Sequence, residues 1–67
     1  MQYELEIINK FTNKTLLIRY FKDKNDAIKD FHELVNTYHN KKGRYLITLF
    51  DVDKQTNIEE YDTDNQI

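Results

Sequence analysis

The sequence predicts an α+β domain of order ββαββ: a four-stranded antiparallel sheet with one amphipathic helix packed on one face. Three observations predict it. The spacing of apolar residues changes from two to 3.6 at about residue 24 and returns to two at about residue 44. The first two and the last two apolar segments are joined by short polar stretches, the mark of hairpins. The two hairpins also resemble each other at an offset of 42, with Tyr3, Leu5, Ile7 and Leu16 matching Tyr45, Ile47, Leu49 and Ile58. Two hairpins flanking one helix make a two-layer domain.

Taking the elements in order, Tyr3, Leu5 and Ile7 alternate with Glu4, Glu6 and Ile8, so residues 2–9 read as a half-buried strand. Residues 10–14 form a turn, and Asn9 and Asn13 suit left-handed backbone there. Residues 15–21 are β-branched and aromatic and read as the second strand. In residues 24–40, Ala27, Ile28, Phe31, Leu34, Val35 and Tyr38 lie on one helical stripe. Asp23 or Asn25 caps its start, and Asp26 complements the dipole. Lys41 and Lys42 stand at its end, and Gly43, the single glycine, sits where a C′ glycine belongs. Residues 44–52 and 58–62 are the third and fourth strands, with a turn at 53–57. The domain spans 1–62, and the acidic tail 63–67 frays.

One helix covers only one face of such a sheet. Alternation assigns Tyr3, Leu5, Ile7, Ile18, Tyr45, Ile47 and Leu49 to the helix side. The opposite face then carries Glu4, Glu6, Ile8, Leu17, Arg19, Leu46, Thr48, Phe50 and Tyr61. That set is half apolar, which marks the face as a partner or dimer surface. The phase of residues 15–21 is open, because Leu16, Leu17 and Ile18 are apolar on both sides.

Composition excludes several classes. With no cysteine there is no disulfide framework, thiol nucleophile or cysteine zinc site. One glycine is too few for a P-loop or a dinucleotide-binding turn. No serine is present and so small a domain offers little cleft, so the chain reads as a non-enzyme without cofactor or metal. His32 and His39, seven residues apart, stand about 10 Å apart along a helix, too far to share a metal. Residues 51–62 place Asp51, Asp53, Asn57 and Asp62 at calcium-loop spacing. However, Thr56 replaces the required glycine and a strand precedes the loop, so this reads as a hairpin turn. The sequence lacks an apolar stretch of membrane-spanning length and a signal-peptide pattern, which points to a cytoplasmic protein with no membrane role.

Charge is segregated. The chain carries a net charge of -2, residues 10–44 hold nine bases and four acids, and residues 45–67 hold six acids and Lys54. Lys, Asn, Ile, Tyr and Phe make up 31 of the 67 residues, a coding bias of AT-rich genomes. From size and composition, the expected function is a small protein-interaction module encoded by a phage or mobile element. It would act as an inhibitor of a host nucleic-acid-handling protein. Leu46, Phe50 and Tyr61 would supply the apolar contact, and Asp53, Glu59, Glu60 and Asp62 an acidic one that imitates phosphates. The alternatives are a nucleic-acid-binding module using a basic edge at Lys41, Lys42 and Arg44, with Lys10 and Lys14 converging on it, or a structural homodimer closed over the open sheet face.

Overall fold

The computed structural model describes residues 2–63 and has the ββαββ order. The strands are β1 (Tyr3–Asn9), β2 (Lys14–Phe21), β3 (Tyr45–Asp51) and β4 (Thr56–Asp62), and the helix is α1 (Lys24–His39). All three strand pairings are antiparallel, in the order β2-β1-β3-β4. The two hairpins therefore meet through their first strands, and β2 and β4 form the sheet edges.

The helix-facing residues of the two central strands build most of the core, and Asp51 at the end of β3 is the charged residue buried among them. Tyr3, Leu5 and Ile7 of β1 and Ile47 and Leu49 of β3 are buried, together with Ala27 and Phe31 of the helix. Leu17, Phe21, Ile28, Leu34, Val35, Tyr38, Tyr45, Ile58 and Tyr61 pack around them. Asp23 caps α1, its carboxylate accepting from the Asn25 amide at 2.8 Å. Asn40 is the C-cap, so Gly43 is not the C′ residue that the sequence suggests. It serves the loop instead. Its φ of 122° favours glycine, and a Cβ there would lie 3.0 Å from the Tyr45 ring.

The offset of 42 relates structure as well as sequence. Glu6 pairs directly with Thr48, its own counterpart, so a local two-fold axis passes between them. Ile7 pairs with Ile47 and Leu5 with Leu49, as that axis requires. Each hairpin has a bulge at the same place, between Ile7 and Ile8 against β2 and between Leu49 and Phe50 against β4. Each turn ends in a positive-φ residue at the same place, Asn13 (59°) and Gln55 (55°). Each turn is held by the side chain before it: Asn9 Oδ1 accepts from the Phe11 amide at 2.9 Å, and Asp51 Oδ1 from the Lys54 amide at 3.1 Å. Even the bonds joining the hairpins correspond, Lys10 N to Arg44 O at 2.8 Å and Val52 N to Gln2 O at 3.1 Å.

Pairing corrects the expected faces. Leu17, Arg19 and Phe21 stand opposite Ile7, Leu5 and Tyr3, so they face the helix, and Ile18 and Tyr20 lie on the open face beside Glu6 and Glu4. Tyr61 and Glu59 stand opposite Ile47 and Leu49 and also face the helix, while Glu60 and Asp62 lie on the open face. The cause is the bulge in each edge strand. Ile58 and Tyr61 are three apart, and a regular strand would put them on opposite faces, but the extra residue brings both against the core. Thr63, expected in the frayed tail, belongs to the fold. It is buried, and its hydroxyl accepts from the Tyr45 amide at 2.8 Å. Residues 64–67 of the expected tail lie outside the described residues.

Candidate functional site

The open face is built by the alternate residues that the helix does not cover. Read across β2, β1, β3 and β4, one row is Tyr20, Glu4, Phe50 and Asn57, and the next is Ile18, Glu6, Thr48 and Glu60. The third row runs from Thr15 through Ile8 and Leu46 to Asp62. Apolar and aromatic side chains thus alternate with carboxylates, and no lysine or arginine stands on this face among the described strand residues. Lys10 reaches it from the β1–β2 turn, with Nζ 2.6 Å from an Asp62 oxygen. Glu6 accepts from the Thr15 hydroxyl at 2.9 Å.

Of the expected apolar trio, Leu46 and Phe50 lie on this face, half-buried, and Tyr61 does not. Its hydroxyl is 2.9 Å from His39 Nδ1, under the helix. The expected acidic group is divided among three places. Glu60 and Asp62 share the open face. Glu59 lies 3.4 Å from His32 Nε2 on the helix side. Asp53 occupies the β3–β4 turn, where it accepts from the Gln2 amide at 3.2 Å. The two histidines therefore tie α1 to β4. Among the described residues, no group of three or more metal-ligating side chains is gathered.

Sequence reasoning missed Ile18 and Tyr20. With Leu16 and Phe11 they are the large hydrophobics most exposed to solvent, at 45%, 55%, 50% and 70%. Three of the four lie on the edge strand β2. The signal was present in the repeat. Where the core needs an apolar residue the two halves agree, as in Leu5 and Ile47 or Ile7 and Leu49. At the edge they differ, since the counterparts of Ile18 and Tyr20 are Glu60 and Asp62. The same scaffold position accepts a carboxylate in one half and an exposed hydrophobe in the other.

Five of the ten basic residues, Lys10, Lys14, Lys41, Lys42 and Arg44, lie at the end of the sheet where β1 finishes and β3 begins. Arg44 lies over the Phe11 ring at 5.7 Å and Lys41 over the Tyr38 ring at 4.9 Å, while the Lys42 carbonyl accepts weakly from the Tyr45 hydroxyl at 3.4 Å. The turn carrying Lys10 and the loop carrying Arg44 do converge, joined by the Lys10–Arg44 backbone bond.

An open groove of about 310 Å³ lies between β2 and α1, lined by Arg19, Phe21, Asp26, Lys29, Asp30 and Glu33. Arg19 and Asp30 are paired across it at 2.7 Å. Among the described residues, no helix is long and apolar enough to cross a membrane. No family model, curated protein or solved structure matches the chain.

Proposed function

We propose that the chain is a small, non-enzymatic protein-interaction module that binds through the open face of its sheet, centred on the β2 side. One observation carries this reading: the two halves of a pseudo-symmetric scaffold differ at Ile18 and Tyr20, where one presents hydrophobes and the other Glu60 and Asp62. The fold does not require apolar side chains there. Native edge strands are normally blunted by charge, as β4 is, because a bare apolar edge invites association. Leu46 and Phe50 extend the contact, and Glu60 and Asp62 border it. Inhibition of a host protein by occupying its working surface is the form this function takes for a phage or mobile-element product acting in the cytoplasm.

The test transfers the residues of one half to the other. Ile18→Glu with Tyr20→Asp should fold like the parent, with melting temperature moved by no more than a few degrees. A stoichiometric protein captured by the tagged parent from nuclease-treated lysate of a low-GC bacterium should be lost by this variant. Capture that persists in the double variant overturns the reading. Capture abolished by nuclease, or by charge removal at Lys41, Lys42 and Arg44, moves the function to the basic end and to nucleic acid.

A further inference from the structure

We infer that the occupant of the open face is a cationic amphipathic helix of a partner protein, with lysine or arginine flanking an apolar stripe; this rests on the interaction reading above. Charge complementarity selects it. Glu4, Glu6 and Glu60 stand on the face among Ile8, Ile18, Tyr20, Leu46 and Phe50; the strands contribute no base to it among the described residues, and Lys10, which enters from the β1–β2 turn, is paired with Asp62 at its border. Neighbours two apart on a strand are about 7 Å apart and alternate strands about 10 Å apart. The Glu4, Glu6 and Glu60 carboxylates are therefore spaced like successive turns along one helix flank, at roughly 5–6 Å, or like its two opposite flanks, at about 10 Å.

The same charges disfavour the other occupants. A second copy laid face to face would set Glu4, Glu6 and Glu60 against one another, and like charges in apposition cost affinity. A nucleic acid or an anionic lipid surface would meet the same repulsion. The footprint also fits a helix. The opposite face of this sheet is covered by a single helix of 16 residues, α1, which packs over the central strands. A helix about 10 Å wide laid along β3 spans two to three strands: its apolar stripe would rest on Leu46 and Phe50, with Glu4 and Glu6 of β1 on one flank and Glu60 of β4 on the other.

The probe is a synthetic 18-residue helical peptide with a leucine and phenylalanine stripe flanked by lysines. Its control keeps the stripe and replaces every lysine by glutamate. Titrations are followed by amide chemical shifts of the full chain. The lysine peptide should bind at least tenfold more tightly than the glutamate peptide, with shifts confined to open-face residues of the sheet, Glu60 of β4 included. Raising ionic strength from about 0.05 to 0.3 M should weaken it several-fold, because this shortens the screening length to less than half. The Glu4→Lys, Glu6→Lys variant, checked for an unchanged circular dichroism spectrum, should reverse the preference between the peptides. Equal binding of both peptides, absence of binding, or shifts at the Lys41–Arg44 loop overturns the inference. So does a dimer of the chain alone in sedimentation, closed over this face. If the captured protein is lost with Ile18→Glu and Tyr20→Asp but retained with Glu4→Lys and Glu6→Lys, the interaction reading stands and the cationic helix falls.

Discussion

Three residues hold backbone geometry that side chains do not ordinarily choose, and they differ in consequence. Gly43 combines a φ of 122° with a Tyr45 ring 3.0 Å from where a Cβ would stand. Both penalties fall on Gly43→Ala, which should lower stability by about 1–3 kcal/mol. The measurement is urea denaturation followed by circular dichroism. The Tyr45 ring also packs edge-on against the Tyr38 ring at 5.0 Å, a contact that a shift away from the new methyl would disturb. Asn13 and Gln55 have nearly the same φ, 59° and 55°, but unequal chemistry. Asparagine tolerates left-handed backbone and glutamine does so at a cost of about 1–2 kcal/mol. Gln55→Gly should therefore raise stability, by up to about 1 kcal/mol once the greater freedom of glycine in the unfolded chain is subtracted. Asn13→Gly should change it less.

At the scale of the element, the start and apolar face of α1 were legible in the sequence, because stripe, N-cap and Asp26 agree, whereas its end, capped by Asn40, was not. Asp23→Ala removes the acceptor for the Asn25 amide and should cost about 1 kcal/mol, read as a lowered denaturation midpoint with unchanged slope. The Arg19–Asp30 pair joins the helix to β2, but Arg19 is 49% exposed, so its loss should cost no more than about 1 kcal/mol. The central strands were legible too, since Tyr3, Leu5, Ile7, Ile47 and Leu49 alternate without interruption. The edge strands were not. Alternation carries a strand's phase only while the ladder is regular, and each edge strand has a bulge that shifts it by one residue. Hence Leu17 and Arg19 turned toward the helix, Ile18 turned away, and Tyr61 went under α1 to meet His39. The acidic run of the last hairpin looked like one patch only because its members were counted along the chain and not by strand alternation, which divides it without any bulge. Once paired, Glu59 and Glu60 point to opposite faces. The candidate site was thus half readable: Leu46 and Phe50 follow from a regular central strand, whereas Ile18 and Tyr20 depend on a register set by the bulge.

For the whole molecule, size fixes how much each layer matters. A domain of 67 residues has a stability of roughly 3–10 kcal/mol, with no disulfide to add to it. Its extents of 36 × 21 × 16 Å leave room for one sheet and one helix, so the helix-side cluster is the only core among the described residues. Leu49 is fully buried there, against Leu5 across the central pairing. Leu49→Ala should cost about 2–5 kcal/mol, a large share of the total. Tyr20 is 55% exposed on the uncovered side, and its counterpart in the other half is Asp62. Tyr20→Asp should change stability by less than about 1 kcal/mol. The two substitutions therefore separate folding from recognition. Thermal unfolding by circular dichroism should show Leu49→Ala melting far below the parent, with lost binding restored only as the temperature is lowered into its folded range. Tyr20→Asp should melt with the parent and lose binding at every temperature. If Tyr20→Asp instead unfolds the chain, the exposed hydrophobes of β2 belong to the fold, and the asymmetry between the halves has a structural origin. If it keeps both fold and binding, the partner surface lies elsewhere on the molecule.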